Sequence, residues 1–146
     1  MKRSDTDTLR VLFAGGGTGG QIMPAAATAE ALLELHPSAR AVFLTTGRRA
    51  ETHCSGALDG FETVQTPATP WQGLGQKVRF PARSLLSAER TASLLRVLRP
   101  HVIVGLGASD CVVPVLTARL LGTPTVLLEA NAVPGRAVRL LAPLAD

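Results

Sequence analysis

The sequence predicts a doubly wound α/β fold on a parallel sheet, and three observations predict it. Short runs recur that are apolar throughout, without the alternation of a half-exposed strand. Helical stretches lie between them, as the crossovers of parallel neighbours require. Glycine-rich turns follow two of the runs and lead into helices.

The strands read as Leu9–Ala14, Ala41–Thr46, a weaker Glu62–Thr66, His101–Gly105 and Thr125–Leu128. Gly15–Gly20 reads as a loop, and Met23–Leu35 as an Ala/Leu helix closed at His36-Pro37. Pro24 suits the first turn of that helix, where a missing N–H costs nothing. Arg49–Leu58 reads as a short helix and Pro67–Phe80 as a loop with two prolines and two glycines before Gln76. Pro81 starts a long helix that Arg99-Pro100 stops at Leu98. Val112–Leu121 is a helix ended by Gly122, and Arg136–Leu141 begins another.

The length of 146 residues suits one domain, residues 1–146, and 46% hydrophobic against 18% charged residues supplies a buried core and excludes disorder. The chain stops after a helical stretch, where this type of domain often carries one more strand. The expectation is a fragment, or one subunit of a split enzyme. The net charge of +4 is carried on scattered arginines with no dense Lys/Arg run. That pattern suits a diphosphate or an anionic lipid surface and argues against nucleic acid. Cys54 and Cys111 have no metal or redox spacing and fit a reducing compartment. There is no signal-peptide pattern and no window apolar enough to span a bilayer, so the expected location is cytoplasmic.

The first glycine loop carries the chemistry. Gly15, Gly16, Gly17, Gly19 and Gly20 surround Thr18 between a strand and a helix. Backbone without side chains approaches an anion closely, and the following helix points its positive end at the same place. A nucleoside triphosphate loop is excluded, because Gln21-Ile22 stands where lysine and a hydroxyl residue are needed. A dinucleotide site matches Gly15-x-Gly17-x-x-Gly20, but the second strand ends in Thr45-Thr46-Gly47 without the ribose-binding acid. Arg48 and Arg49 keep an NADP reading open. A sugar-diphosphate transferase is the third reading.

Three segments resemble the MurG-like family of glycosyltransferases. Ala14–Pro24 resembles its opening GGTGGH motif with a nearby proline. His101–Gly107 (HVIVGLG) resembles its second glycine loop, and Gly122–Asn131 (GTPTVLLEAN) its G-x-P…HEQN segment. The resemblance implies the Rossmann-like N-terminal half of a two-domain GT-B enzyme. Such an enzyme moves N-acetylglucosamine from UDP-N-acetylglucosamine to a lipid-diphosphate-linked sugar, with no metal or other cofactor, on the inner face of the cytoplasmic membrane. The N-terminal half holds the acceptor, and a separate donor-binding domain or subunit completes the cleft. By position, Thr18, Gly19 and Gly20 contact the diphosphate or donor above the turn Gly15–Gly17. Asn131 is the donor-contacting asparagine, and Glu129 is the acid of the third motif.

Departures from the family pattern are as informative. Gln21 stands at the histidine position; glutamine hydrogen-bonds but does not take a proton near neutral pH. Ala108, Ser109 and Asp110 replace a glycine-aromatic stretch, and Ala130 replaces a glutamine. Asp110 is either a replacement contact or base, or the N-cap of the next helix. These changes keep open a degenerate module that holds a lipid diphosphate or a partner protein. Trp71, Leu74 and Phe80, with Lys77, Arg79 and Arg83 close by, fit a membrane interface or a loop packed on its own domain.

Overall fold

A computed structural model describes residues 8–16, 19–46, 55–66 and 80–146. Five strands form one sheet: β1 (Arg10–Ala14), β2 (Arg40–Thr45), β3 (Glu62–Gln65), β4 (Val102–Gly105) and β5 (Thr125–Leu127). Their order is β3-β2-β1-β4-β5, and every neighbouring pair is parallel. The helices are α1 (Gly19–Leu35), α2 (Phe80–Leu98), α3 (Val112–Leu120) and α4 (Arg136–Leu141). Short 3-10 turns occupy Ser55–Leu58, Ser109–Cys111 and Ala142–Leu144.

Alternation along each strand divides the core in two. Val11, Phe13, Ala41, Phe43 and Val104 meet Ile22, Ala25, Ala26 and Ala29 of α1. Those four α1 positions fall at i, i+3, i+4 and i+7, one face of a helix, and three are alanines that let it lie close. Phe13 and Phe43 are register partners and stack at 4.7 Å. On the other face Leu12, Ala14, Val42, Leu44 and Ile103 pack with Leu95 of α2 and Ala118 of α3. Helices therefore cover both faces of the sheet, as the continuous apolar runs predict.

The strand ends lie within one residue of the sequence reading, but one helix does not. α1 begins at Gly19, four residues before Met23, so Pro24 is its sixth residue and not in its first turn. Burial of Ile22 in the core holds this early turn in place. Pro24 has no N–H to give the Gly20 carbonyl, and the helix continues past it. α2 starts at Phe80, one residue earlier than expected. Of the helix expected over Arg49–Leu58, the described part is the 3-10 turn from Ser55; the remainder, the loop at 67–79 and Cys54 lie outside the described residues.

Polar groups tie the two ends of the sheet. At the amino edge the Arg10 N–H donates to His101 Nδ1 (3.1 Å), the His101 N–H donates to the Arg10 carbonyl (2.8 Å), and Arg10 Nε donates to the Arg99 carbonyl (2.9 Å). Arg99, just past α2, has φ +45°. On the outer side of β5 the Asp146 N–H donates to the Thr125 carbonyl (3.0 Å), and the Thr125 N–H donates to the Asp146 carboxylate (3.0 Å). Arg119 pairs with the same carboxylate at 2.9 Å.

Two packing features are directly testable. A Cβ at Gly105 would come within 2.8 Å of Val115 Cγ2 and 3.0 Å of Leu127 Cδ2. Gly105→Ala is therefore expected to destabilise the fold by about 1–3 kcal/mol in chemical denaturation, despite alanine's better strand propensity; an unchanged midpoint would contradict this packing. Thr91 is fully buried in α2, and its hydroxyl finds no hydrogen bond among the described residues. Thr91→Val should raise stability by about 1 kcal/mol, read as a higher Tm.

Candidate functional site

The strand order reverses between β1 and β4: the chain passes from β1 outward to β2 and β3, then returns to β4 beside β1. In open parallel sheets the crevice at such a point, beyond the carboxyl ends, is where ligands bind. Three loops meet there, following β1, β4 and β5.

The first loop leaves β1 at Gly15, whose φ of +103° suits glycine and strains other residues. A Cβ there would also lie 3.0 Å from the Cβ of Cys111 on the second loop. At Gly16 it would lie 3.0 Å from Ile22 Cγ1. Gly15 and Gly16 are thus the buried floor of the turn, while Gly17 and Thr18 lie outside the described residues. Gly19 and Gly20 are not loop residues but the first two of α1, and their N–H groups belong to its unsatisfied first turn. Gly20 borders open space, and no acidic residue occupies this turn. Gln21 follows on the same turn, half-buried.

The second loop starts where the Leu106 N–H donates to the Ala14 carbonyl at 2.9 Å, joining the ends of β1 and β4. Gly107 then takes φ +77°. The 3-10 turn begins at Ser109, so Asp110 lies inside it and not at its start. The residue before the turn is Ala108, and no side chain caps it. The N-cap reading of Asp110 is therefore corrected: its carboxyl is buried, with the residue only 4% exposed. Cys111 beside it is fully buried and free. Burial pushes its thiol up to about 12, and the charges of Asp110 and Glu129 add to the rise, so it is not a nucleophile near neutral pH.

The third loop is anchored by the Leu128 N–H on the Gly105 carbonyl at 2.8 Å. Glu129 then gathers it. Its Oε1 accepts from the Asn131 N–H (3.0 Å) and from Asn131 Nδ2 (2.6 Å), and its Oε2 accepts from the Gly135 N–H (2.9 Å). The carboxylate lies over Gly107, where a Cβ would stand 3.3 Å from Oε2. Glu129 thereby joins the second and third loops, a link that sequence reasoning missed. Its partners at i+2 and i+6 lie in irregular loop, where no periodic pattern in the sequence marks a contact.

The histidines are elsewhere. His101 bonds at the amino edge, and His36 is exposed after α1, where its backbone N–H, not its imidazole, meets the Leu32 carbonyl at 2.8 Å. His53 lies outside the described residues. Among the described residues no three His, Cys, Asp or Glu side chains gather to hold a metal.

The Gly135 N–H, then the backbone and side-chain N–H groups of Asn131, hold the Glu129 carboxyl below its ordinary value of 4.5. A depressed folded-state value means that the clasp is complete above the unfolded-state value and is lost as pH falls through the lower one. The Asn131 and Gly135 amide signals should move together in an NMR pH titration, with a midpoint below 4.5. A midpoint at or above that value would show that the clasp does not favour the charged carboxylate.

Comparison with known proteins places this arrangement. The family model described as the Glycosyltransferase family 28 N-terminal domain matches residues 11–146. Two curated relatives carry the name UDP-N-acetylglucosamine–N-acetylmuramyl-(pentapeptide) pyrophosphoryl-undecaprenol N-acetylglucosamine transferase. The protein from Caldanaerobacter subterraneus subsp. tengcongensis is 34% identical over 143 residues, and that from Methylobacterium nodulans 41% over 134. These alignments cover 94% and 90% of this chain but only 38% and 35% of the relatives' own lengths. Among solved structures, Acinetobacter baumannii MurG matches 94% of the chain and 39% of its own, with a TM-score of 0.76 and 23% identity. A UDP-GlcNAc 2-epimerase from Neisseria meningitidis shares the fold at a TM-score of 0.59 and 13% identity, over 94% of this chain and 39% of its own. Five parallel strands in this order, with glycine loops converging at the switch point and a family match over nearly the whole chain, make this protein a member of the glycosyltransferase family 28 N-terminal domain family.

Proposed function

We propose that residues 1–146 are a single Rossmann-like acceptor-binding domain of an N-acetylglucosaminyltransferase. The reaction would move the sugar from UDP-N-acetylglucosamine to a lipid-diphosphate-linked sugar of the peptidoglycan type. The observation that carries this reading is the meeting of three loops at the carboxyl edge of the sheet, in a chain of this family. The first turn of α1 offers N–H groups at Gly19 and Gly20 to an oxyanion, with no carboxylate in that turn to repel it. Thr18 and the turn Gly15–Gly17 would complete the phosphate side. Glu129 and Asn131 would face the sugars.

The chain spans a little over a third of its relatives' length, and in this proposal a further domain or subunit holds the donor. In the transfer step the attacking hydroxyl must lose a proton. Gln21 can orient that hydroxyl but not accept the proton, and Asp110, the other acid–base candidate, keeps its carboxyl buried in the floor of the second loop. The dinucleotide reading has no support in the family match, and β2 closes on Thr45 without an acid. Ala108 and Ala130, with Gln21, favour a degenerate lipid-diphosphate module as the second reading.

The membrane-facing surface is proposed on Trp71, Leu74 and Phe80. Trp71 and Leu74 lie outside the described residues, and Phe80 opens α2. Leu85 and Leu86, in the second turn of that helix, are largely exposed apolar residues. Among the described residues no helix is long and apolar enough to cross a membrane; the contact is proposed as a peripheral one on the cytoplasmic face.

The test is a titration with a soluble analogue of the lipid-diphosphate-muramoyl acceptor, with Gly19→Asp as the control. The wild-type chain should bind, and the variant should bind at least ~10-fold more weakly, because it places a carboxylate at the positive end of α1. A folded chain that ignores the analogue would overturn the proposal. Binding without transfer, after a donor-binding half is added, would favour the degenerate module.

A further inference from the structure

Asn131 is held in one orientation by chemistry and not only by shape. The Glu129 carboxylate is acceptor-only when ionised, so the end of the Asn131 amide that lies 2.6 Å from Oε1 is its NH2. The same oxygen takes the Asn131 backbone N–H, and the second oxygen takes Gly135, which prevents the carboxylate from rotating away. Asn131 is exposed, and its carbonyl oxygen Oδ1 accepts no protein hydrogen bond among the described residues. The loop therefore offers outward one acceptor and one remaining N–H, beside a fixed negative charge.

That combination discriminates among ligand groups. A hydroxyl both donates and accepts, so it satisfies Oδ1 and the free Nδ2 proton together. A phosphate oxygen only accepts; it leaves Oδ1 unmatched and must sit close to the Glu129 carboxylate, which repels it. The α1 terminus has the opposite character, with N–H groups and no acid in the first turn. The two sides of the crevice are thus complementary to the two halves of a sugar diphosphate.

We propose that Glu129 is a positioning residue, which turns the Asn131 amide to present Oδ1 and so makes the third loop a reader of sugar hydroxyls and not of phosphate. This rests on the reading that the crevice takes a sugar diphosphate. The hydroxyl has two candidate sources, the UDP-linked sugar and the acceptor's lipid-linked sugar, and each is a separate arm of the test.

The experiment is NMR on the isotope-labelled 146-residue chain, titrated separately with inorganic pyrophosphate, UDP-N-acetylglucosamine and the soluble acceptor analogue. Pyrophosphate should move the Gly19 and Gly20 amides and leave the Asn131 side-chain NH2 signals in place. A sugar ligand should move both. Glu129→Ala should weaken the sugar ligand about 10-fold and leave pyrophosphate affinity unchanged, the loss being about one hydrogen bond. Asn131→Ala, which keeps the Glu129–Gly135 bond, should show the same selective loss even if Glu129→Ala folds poorly. The double variant should be no weaker than either single one, because both remove one contact. Equal weakening of pyrophosphate and sugar ligands, or a response of Asn131 to pyrophosphate alone, overturns the inference. Pyrophosphate binding with no response to either sugar ligand also overturns it and leaves the phosphate side standing. Failure of all three probes to bind the folded wild-type chain overturns the site reading itself.

Discussion

The crevice depends on how closely α3 approaches the end of β4. Gly105 permits that approach, since Val115 and Leu127 already occupy the space that a side chain would fill. With α3 seated there, the 3-10 turn before it brings Cys111 against Gly15 and closes the floor between the first and second loops. Leu127 and Leu128 follow the same edge and deliver Glu129 over Gly107. One glycine in a strand thus determines where three loops can stand, and its role is steric before it is conformational.

The floor of the crevice and its rim obey different electrostatics. Below, Cys111 and Asp110 are removed from water, and the thiol stays protonated because burial and two neighbouring carboxylates oppose its ionisation. Above, Glu129 remains charged because three N–H donors surround it. The site is assembled mostly from backbone donors and one carboxylate that orders them. Such preformed dipoles need little rearrangement when a ligand arrives.

The fold was legible where burial dictates composition. β1, β2 and β4 are covered on both faces, so their buried stretches are apolar without alternation, and their ends fall within a residue of the reading. Helix α1 was less legible because Gly19 and Gly20 carry no helical signal; they are helical through the burial of Ile22 just after them. Pro24 was misplaced for the same reason. At the site, the glycine turns were visible as composition and the third motif as a resemblance. The bond between Glu129 and Gly135 was not, since it joins loop residues whose geometry is set by β5 and α4. Asp110 looked like a cap because acids before helices usually are. Its burial follows from the extra 3-10 turn, which has no periodic signature in the sequence.

Asp146 gives the outer margin of the sheet a second meaning. β5 has only three residues, and the outward-facing N–H and carbonyl of Thr125, at its start, are already taken by the carboxylate and backbone of Asp146. Arg119 holds that carboxylate from α3. An unguarded margin is a template on which an unrelated extended chain can add itself. Here the hydrogen-bonding positions at Thr125 that such an intruder would use are filled from within the molecule, and a charged pair stands beside them. The margin is selective: a segment that joins β5 must displace Asp146, or continue from it in the register that it has already set.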